Sequence, residues 1–421
     1  MNGLFRLKNT IKHYEWGSPS CIPRLLGRDG EGRPWAELWM GVHPGGPSET
    51  EFRGETRSLA DLIAGNPEGF LGKAAAEKFG GLPFLFKFLA AAKPLSIQAH
   101  PNREQARRGF DRENREGIAL DAPHRNYKDP NHKPEILYAL SPFRAMCGFR
   151  EPEETRRNLE RLLSGAPSSL RRGLAPLTAA LAGTNAGGGA ESGALRAFFS
   201  ALFALPPELR RELSGHITSR RETGAADAGA DACMTAFAER YPGDPAVIAP
   251  LYLNLLELQP GEAVYLEAGV LHAYLEGFGM ELMANSDNVL RGGLTPKYVD
   301  PPELMRILDF SPRRPAILKP PEPEPDWYAC AAPCEEFSLS ALRSRGGSGL
   351  FPETGPAILA LTGGKARLFR GGQELDLSPG ESVFIPPGEP GEALRYSGSF
   401  RACVAALPTA GGGGPAAAGG A

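Results

Sequence analysis

The sequence of 421 residues predicts a mainly β protein interrupted by a block of helices. Three observations predict this arrangement. Aromatic and aliphatic runs typical of strands occur in the first 150 residues and return after Pro242. Between them, residues 151–242 are rich in Glu and Arg and repeat apolar residues at helical spacing. Finally, one pattern of turn, strand and turn occurs twice in the C-terminal half.

Residues 1–150 show mixed structure, which we interpret as the first part of a catalytic domain. The stretches 35–42 and 81–89 are predicted strands because aromatic and aliphatic residues dominate them. Residues 58–79, between them, have the spacing of helices. Asn102 is a suitable N-cap for a polar helix directly after His100.

The block 151–242 is predicted to be a helical insertion domain. Residues 151–163 and 207–221 carry its clearest helical periodicity. Residues 183–193 are predicted to form a flexible loop because Gly, Ala, Ser and Asn dominate them. The block contains no cluster of catalytic residue types.

The β pattern that returns in residues 243–319 is repeated in residues 320–408. Residues 258–272 read as a turn, a strand, a second turn and another strand, and residues 377–391 match them in residue type. A Pro/Glu linker at 320–325 precedes the second unit, and the Gly/Ala/Pro tail 409–421 is predicted to be disordered. The chain therefore contains two copies of one β module.

The repeated pattern resembles the cupin signature, which belongs to a short jelly-roll barrel. The first copy has Ala268 where proline is usual, and the second has Pro387 there. His272 of the first copy aligns with Gly391 of the second. We therefore expect a cupin catalytic domain, completed by residues 243–319, and a metal-free cupin-like C-terminal domain.

Composition excludes several partners. The net charge of −3 gives no reason to expect nucleic acid or an anionic membrane as a partner. The N-terminal residues lack the apolar core of a signal peptide, and no apolar run is long enough to span a bilayer. Six cysteines are scattered without zinc-ribbon spacing, which favours reduced thiols in a cytoplasmic protein. Nothing in the sequence demands more than a monomer.

Four polar residues on strand-like segments could form a metal site. In residues 96–100, alternation places Gln98 and His100 on one face. Glu135 and His272 lie on two further segments of this kind. Two nitrogens and two oxygens suit a borderline cation, zinc first, with manganese or iron possible. An arbitrary histidine is more often a satisfied core residue, but the shared face and the cupin context favour the metal site.

Two cations close to this set suit a phosphate dianion. Arg291 offers a fork of donors and Lys297 a point charge. Gly292 and Gly293 would let the backbone approach a ligand closely. Beside a metal site, we expect this run to bind phosphate rather than to form a solvated loop.

The motifs together resemble the type I mannose-6-phosphate isomerase (phosphomannose isomerase) family over nearly the whole chain. Residues 127–135 match the pattern Tyr-x-Asp-x-Asn-His-Lys-Pro-Glu without a departure. Residues 272–297 match a second pattern, with Gly292 replacing the usual alanine. Residues 14–17, 35–41 and 93–101 give supporting matches.

The resemblance implies one zinc ion per chain and a sugar-phosphate pocket. It implies that Gln98, His100, Glu135 and His272 bind the zinc and that Arg291 is catalytic. The residues expected to line the pocket are Trp16, Glu37, Ser96, Lys133, Tyr274, Glu281, Asp287 and Lys297. The implied reaction interconverts mannose 6-phosphate and fructose 6-phosphate through a cis-enediol.

One base on one face of the sugar could move the proton between C2 and C1. Lys133, Glu281 and Asp287 are all candidates for this base or for the acid that opens the ring. Two other classes remain as alternatives: a cupin oxygenase, against which Gln98 as a ligand argues, and a sugar-binding cupin without activity. The second alternative does not account for Arg291 and Lys133 together.

Overall fold

The computed structural model describes residues 3–182, 188–220, 228–352, 355–388 and 392–408. Its architecture is mainly β, with two large antiparallel sheets, a separate hairpin and a block of helices. The predicted fold class is therefore confirmed. The predicted disordered tail and position 391 of the repeat lie outside the described residues.

The N-terminal region alternates short strands with short helices. Its strands are β1 (Phe5–Leu7), β2 (Thr10–Lys12), β3 (Glu37–Gly41), β4 (Glu49–Phe52), β5 (Glu55–Ser58), β6 (Phe84–Ala91), β7 (Ile97–Ala99), β8 (Glu135–Ala139) and β9 (Phe143–Phe149). Its helices are α1 (Cys21–Leu25), α2 (Leu59–Gly65), α3 (Pro67–Leu71), α4 (Lys73–Phe79) and α5 (Arg103–Arg115). Both predicted strands and the predicted helical stretch are confirmed.

Helix α5 begins where the sequence predicts. The Asn102 side chain accepts from the backbone N–H of Gln105, and the Gln105 side chain accepts from the backbone N–H of Asn102. This capping box satisfies two donors that the first turn leaves without an intrahelical partner. The helix therefore starts three residues after His100.

The middle of the chain is helical. It contains α6 (Pro152–Leu163), α7 (Ser168–Ala180), α8 (Gly188–Phe203), α9 (Pro207–Ser219) and α10 (Ala228–Arg240), followed by a 3-10 helix (Pro245–Ile248) and α11 (Ala249–Tyr252). Leucine and phenylalanine side chains of these helices form one buried cluster with residues of the adjoining sheet. Of the predicted loop at 183–193, residues 188–193 belong to α8, and residues 183–187 lie outside the described part.

The β elements that follow supply the two repeated modules. The first contains β10 (Leu253–Leu258), β11 (Ala263–Leu266), β12 (His272–Ala284), β13 (Leu290–Gly293), α12 (Pro301–Ile307) and β14 (Ile317–Leu318). The second contains β15 (Trp327–Cys330), β16 (Ser338–Leu350), β17 (Ala357–Gly364), β18 (Ala366–Arg370), β19 (Gln373–Leu377), β20 (Ser382–Ile385) and β21 (Arg395–Ala406).

The two large sheets share a core. In one sheet the order is β14-β11-β8-β12-β6-β3-β2, and the short strands β7, β9, β10 and β13 join it beside β12. The other sheet has the order β1-β20-β17-β21-β16-β15, with β18 and β19 at β21. Phe84, Phe86 and Phe88 of the first sheet belong to the same buried cluster as Phe384 of the second sheet and Phe337, which directly precedes β16. Burial of this aromatic surface holds the sheets together.

The first strand contributes to the distant sheet. Phe5 pairs with Phe384 and Leu7 with Ser382, so β1 extends the sheet formed by the C-terminal module. Residues 1–150 were expected to belong to the catalytic domain, and this pairing was not anticipated. The division of the chain into domains stays a prediction.

Candidate metal centre

Three neighbouring strands bring the first set of predicted site residues together. Gln98 of β7 pairs with His272 of β12 on one side and with Arg291 of β13 on the other. Residues directly opposite one another in a ladder project to the same face of a sheet. Consequently an amide, an imidazole and a guanidinium lie side by side on one face.

Strands β8, β12, β6 and β3 add the carboxylates by the same logic. Glu135 pairs with Met283, and Glu281 lies two residues before Met283, so both acids share a face. Lys87 pairs with Glu281. Trp39 pairs with Lys87, and Glu37 lies two residues before Trp39 on the same face of β3. The strand register therefore places three carboxylates and one ammonium on the same face of the sheet: those of Glu37, Glu135, Glu281 and Lys87.

His100, Glu135 and His272 form a compact buried group. Each has a relative exposure of 1%, and their ligand atoms lie within 4.8 Å of one another. Nε2 of His100 is 3.4 Å from Oε1 of Glu135, and Nε2 of His272 is 3.4 Å from Oε2. Among the described residues this is the one group of three or more His, Cys, Asp or Glu side chains close enough to hold an ion.

The imidazole nitrogen that faces away from Glu135 forms a hydrogen bond to a backbone carbonyl in both histidines. Nδ1 of His100 lies 2.7 Å from the carbonyl oxygen of Asn288, and Nδ1 of His272 lies 2.9 Å from that of Val270. A carbonyl can only accept, so Nδ1 must carry the hydrogen in both rings. In the neutral rings the Nε2 lone pairs therefore face Glu135, as ligating histidines require.

These atoms fit a tetrahedral cation. Nε2 of His100 and Oε2 of Glu135 are buried and have no hydrogen-bond partner within the described chain. Buried polar atoms without partners are costly, and lone pairs facing a carboxylate repel it. Two ligand atoms about 2.1 Å from a tetrahedral ion lie about 3.4 Å apart. Each imidazole nitrogen lies at this distance from one oxygen of Glu135, His100 from Oε1 and His272 from Oε2.

Gln98 completes the set with a half-buried amide. Its Nε2 atom lies 3.3 Å from Nε2 of His272. A rotation of 180° about the terminal side-chain bond exchanges the amide nitrogen and oxygen, so Gln98 can present its oxygen at this position instead. The amide therefore offers a neutral oxygen donor beside the three ionisable ligands.

Charges around the group keep the imidazole neutral and the carboxylate ionised. Burial, outweighing the attraction of Glu135, lowers the pKa of His100 from 6.5 to about 4. Burial would raise the pKa of Glu135, but the charge of Lys133 lowers it well below its ordinary value. Nζ of Lys133 lies 3.1 Å from Oε1 of Glu135. The donors are thus in the protonation states that a metal requires.

Lys87 is a site residue that the sequence analysis missed. Its ammonium is buried, 2.6 Å from Oε2 of Glu281 and 3.4 Å from Oε1 of Glu37. Oε2 of Glu37 accepts from the indole N–H of Trp39 at 2.7 Å. Both predicted pocket acids therefore have internal partners. The available signal was a single lysine within the otherwise apolar eight-residue strand β6.

Asn288 anchors the loop that leads to Glu135. Its Oδ1 accepts from the backbone N–H groups of Lys128, at 2.7 Å, and Asp129, at 3.2 Å. Its Nδ2 donates to the carbonyl oxygens of Asp129, at 2.7 Å, and Asn131, at 2.9 Å. The Asn288 side chain is 0% exposed. It supplies the hydrogen-bond partners that regular secondary structure would otherwise give to the backbone groups of this loop. Its role was not foreseen.

Asp287 lies at the rim of the site and is paired with His43. Nδ1 of His43 accepts from the backbone N–H of Gly45 at 3.1 Å, so Nε2 carries the hydrogen that faces Oδ1 of Asp287 at 3.4 Å. This contact lowers the pKa of Asp287. The Asp287 carboxylate remains exposed and ionised beside the pocket.

Unlike Lys87 and Lys133, the cations Arg291 and Lys297 have no acidic partner in the described part of the chain. Within the described chain, no hydrogen bond or ion pair engages the half-buried guanidinium of Arg291, and burial lowers its pKa. Partial burial, with Arg291 and Lys128 nearby, lowers the pKa of Lys297. Three positive groups, of which Lys128 was not predicted, therefore lie close enough to repel one another and to favour a bound anion.

Three predicted pocket residues border this region. Trp16 stacks on Tyr14 with ring centroids 5.7 Å apart, and Tyr14 is 42% exposed. Ser96 precedes β7 and is half-buried. Tyr274 is buried; burial, together with the charges of Glu281 and Glu135, raises its pKa well above 10.0. Its phenol is therefore protonated at neutral pH.

Comparison with known proteins places the chain among sugar-phosphate isomerases. The sequence profile of "Phosphomannose isomerase type I, catalytic domain" matches residues 4–152. Mannose-6-phosphate isomerase of Escherichia coli (strain K12) is 39% identical over 388 residues, covering 91% of this chain and 95% of that protein. The Homo sapiens enzyme of the same name is 38% identical over 333 residues, covering 73% and 74%.

Solved structures agree with the sequences. A crystal structure of a phosphomannose isomerase mutant from Salmonella typhimurium superimposes with a TM-score of 0.85 at 36% identity, covering 96% of this chain and all of the other. A mannose 6-phosphate isomerase solved with zinc bound gives a TM-score of 0.84 at the same identity and coverage.

The fold and the buried His/Glu/His group define a metalloenzyme of the cupin-like class. Identity of 39% across most of both chains makes the family unambiguous. The chain belongs to the type I phosphomannose isomerase family. Within the described residues, no helix is both long and apolar enough to cross a membrane.

Proposed function

We propose that the chain is a zinc-dependent aldose–ketose isomerase that interconverts D-mannose 6-phosphate and D-fructose 6-phosphate. The observation that carries this proposal is the pair of 3.4 Å separations from the imidazole nitrogens to Glu135, beside the Arg291 guanidinium, which has no ion-pair partner among the described residues. Membership of a family whose relatives bear the name mannose-6-phosphate isomerase supports the substrate.

Gln98, His100, Glu135 and His272 would hold one zinc ion. Bound there, zinc would supply Lewis acidity towards a sugar oxygen. The protein's part is to present two unprotonated Nε2 atoms and an ionised carboxylate from strands β8 and β12 and from the residue that follows β7. Their burial excludes the water that would otherwise compete for these donors.

The phosphate is proposed to bind at the cluster of positive charge. Lys297 and Lys128 are exposed, whereas Arg291 is half-buried beside Gln98. The two lysines therefore suit the solvent-facing phosphate, and Arg291 suits the charge that develops on the enediolate oxygens. An anion in the pocket would also relieve the repulsion among these groups.

Isomerisation requires one proton to leave C2 of the aldose and to be returned at C1. The electron pair of the C2–H bond forms the C1–C2 double bond, and the π pair of the C1 carbonyl moves onto O1, which takes a proton to give the cis-enediol. O2 then loses its proton and forms the C2 carbonyl, while the electron pair of the C1–C2 double bond takes the proton from the same base at C1. We infer that Lys133, acting in its uncharged form, is this base, because its nitrogen lies 3.1 Å from Oε1 of the predicted metal ligand Glu135. We assign ring opening to Asp287, whose exposed carboxylate faces the pocket rim.

Proton exchange with solvent separates these two roles. In deuterated water, Lys133→Met should abolish deuterium incorporation at C2 of mannose 6-phosphate. Asp287→Asn should slow overall turnover while exchange continues with substrate that is already open. Undiminished exchange in Lys133→Met would transfer the base role to another residue.

The reaction and the metal can be tested together. In a coupled assay, conversion of mannose 6-phosphate to fructose 6-phosphate should vanish after chelation and return when zinc is restored. A zinc-loaded protein with one metal per chain and no turnover would refute the proposed substrate. Manganese or iron restoring more activity than zinc would refute the proposed metal.

The setting of the enzyme is also a proposal. We infer a cytoplasmic monomer that binds a small sugar phosphate. The buried thiols of Cys147, Cys330 and Cys403 lie outside any disulfide, which fits a reducing compartment. Light scattering that gives a mass of 45.0 kDa would support the monomer.

A further inference from the structure

A carboxylate of the C-terminal module reaches the loop that carries the predicted base. Glu336 lies just before β16, more than ten residues beyond the Pro/Glu linker, and is 6% exposed. Its Oε1 atom accepts from Nε2 of His132 at 2.8 Å and also from the guanidinium of Arg103. One oxygen thus joins two segments that are far apart in the chain.

Both of its partners are close in sequence to the metal centre. Arg103 is the first residue of α5 and lies three positions after His100. His132 lies three positions before Glu135 and directly precedes Lys133. The Glu336 carboxylate therefore links residues 100–103 to residues 132–135, and each of these segments has a predicted metal ligand at one end.

The segment that carries Glu336 is anchored by burial of the following residue. Phe337, the next residue, is fully buried in the cluster shared by the two large sheets. Burial would raise the pKa of Glu336, but the contacts with His132 and Arg103 lower it, so the carboxylate is ionised. Hydrogen bonds to an ionised acceptor are about twice as strong as neutral ones.

We propose that Glu336 is a positioning residue of the metal centre, through which the C-terminal module sets the relation between the His100 segment and the Lys133–Glu135 segment. Under this proposal the module that lacks a metal-binding histidine is part of the catalytic apparatus. The role in turnover rests on the proposed isomerase function, whereas the role in metal binding does not.

The test compares Glu336→Ala with Glu335→Ala. Glu335 makes an exposed contact with Lys78 at 3.2 Å, so it provides a matched control for loss of a neighbouring acid. Glu336→Ala should bind zinc about 10–100-fold more weakly in competition with a chelator, which is the usual effect of disturbing the surroundings of metal ligands. Its kcat should fall at least tenfold, and KM should change less.

A double-mutant cycle excludes a merely structural role. If Glu336 acts through Arg103, then Arg103→Ala and the double variant should show nearly the same zinc affinity as Glu336→Ala. Measurements well below the melting temperature separate this effect from unfolding. Zinc affinity equal to that of Glu335→Ala would overturn the proposal. Weakened zinc binding in a protein without isomerase activity would uphold it and refute the proposed function instead.

Discussion

Nδ1 of His100 lies 2.7 Å from the backbone carbonyl oxygen of Asn288. Because this carbonyl fixes the hydrogen on Nδ1, it leaves Nε2 free to ligate. The side chain of the same asparagine holds residues 128–131 through four hydrogen bonds of 3.2 Å or less. Asn288 therefore couples the orientation of a metal ligand to the position of the loop that leads to Lys133.

The variant Asn288→Ala should weaken both functions of this residue. Several backbone groups of the loop would lose their partners, so the unfolding free energy should fall by about 2–4 kcal/mol. Zinc affinity should fall about 10–100-fold. Urea unfolding and chelator competition measure the two effects. Asn131→Ala, which removes an exposed side chain from the same loop, is the control and should change neither quantity appreciably.

Replacement of Arg291 should affect turnover without affecting the metal. Its guanidinium makes no hydrogen bond or ion pair within the described residues, so Arg291→Ala should retain one zinc per chain and near-normal stability. The value of kcat should fall about 100–1000-fold, as when a donor to a developing oxyanion is removed. Steady-state kinetics and metal analysis give both values, with the exposed Arg107→Ala as control. A loss of zinc in parallel with kcat would contradict the assignment.

Loss of Lys87 should leave two buried carboxylates without their cation. Lys87→Met should cost about 3–5 kcal/mol at neutral pH, the usual effect of breaking a buried ion pair. Burial already raises the pKa of Glu281, and Lys87 opposes that rise. In the variant the pKa of Glu281 in the folded protein rises further. The unfolding free energy of the variant is therefore retained at low pH and falls as the pH increases through this pKa.

Denaturation of Lys87→Met at several pH values tests this expectation. The deficit relative to the wild type should shrink as the pH falls and Glu281 takes up a proton. Lys93→Met, which breaks only an exposed contact with Glu15, should stay within about 0.5 kcal/mol of the wild type. A deficit that does not vary with pH would argue against the buried carboxylates as its cause.

The metal-free protein should lose stability in mild acid because of His100. Its pKa is about 4 in the folded chain and 6.5 without the protein environment. Between these values the unfolded chain binds the proton and the folded chain does not, so stability falls as the pH decreases from 6.5 to about 4. The loss amounts to about 3 kcal/mol.

Urea titrations of chelated protein across this range measure that contribution. The chelated variant His100→Gln should lack the contribution of the His100 imidazole, so its unfolding free energy should depend less steeply on pH. The wild type with zinc bound should resist acid further, since the ion must be displaced before the ring is protonated. Identical slopes for the wild type and His100→Gln would contradict the lowered pKa.

Local sequence patterns were sufficient for much of the secondary structure. Strand alternation predicted that Gln98 and His100 share a face, and the Asn102 capping signal predicted the start of α5. Such inferences succeed because the relevant contacts are made within a few residues of the chain. The resemblance named the ligand set, whose histidines and glutamate the structure brings within 4.8 Å.

Contacts between distant segments were not predictable in this way. Glu281 and Lys87 are 194 residues apart, and His132 and Glu336 are 204 apart. A lysine in an apolar strand signals a buried charge but does not name its partner. Likewise, the pairing of β1 with β20 depends on how the two sheets pack.

The sequence by itself determined the chemistry of this protein: which strands form, which face carries the donors and which family supplies the reaction. Only the tertiary structure decided which of these groups are free to act. Lys87 engages Glu37 and Glu281, whereas the guanidinium of Arg291 has no such partner in the described chain. The reason is physical, because the partners of a buried charge are selected by strand register and sheet packing rather than by neighbours in sequence.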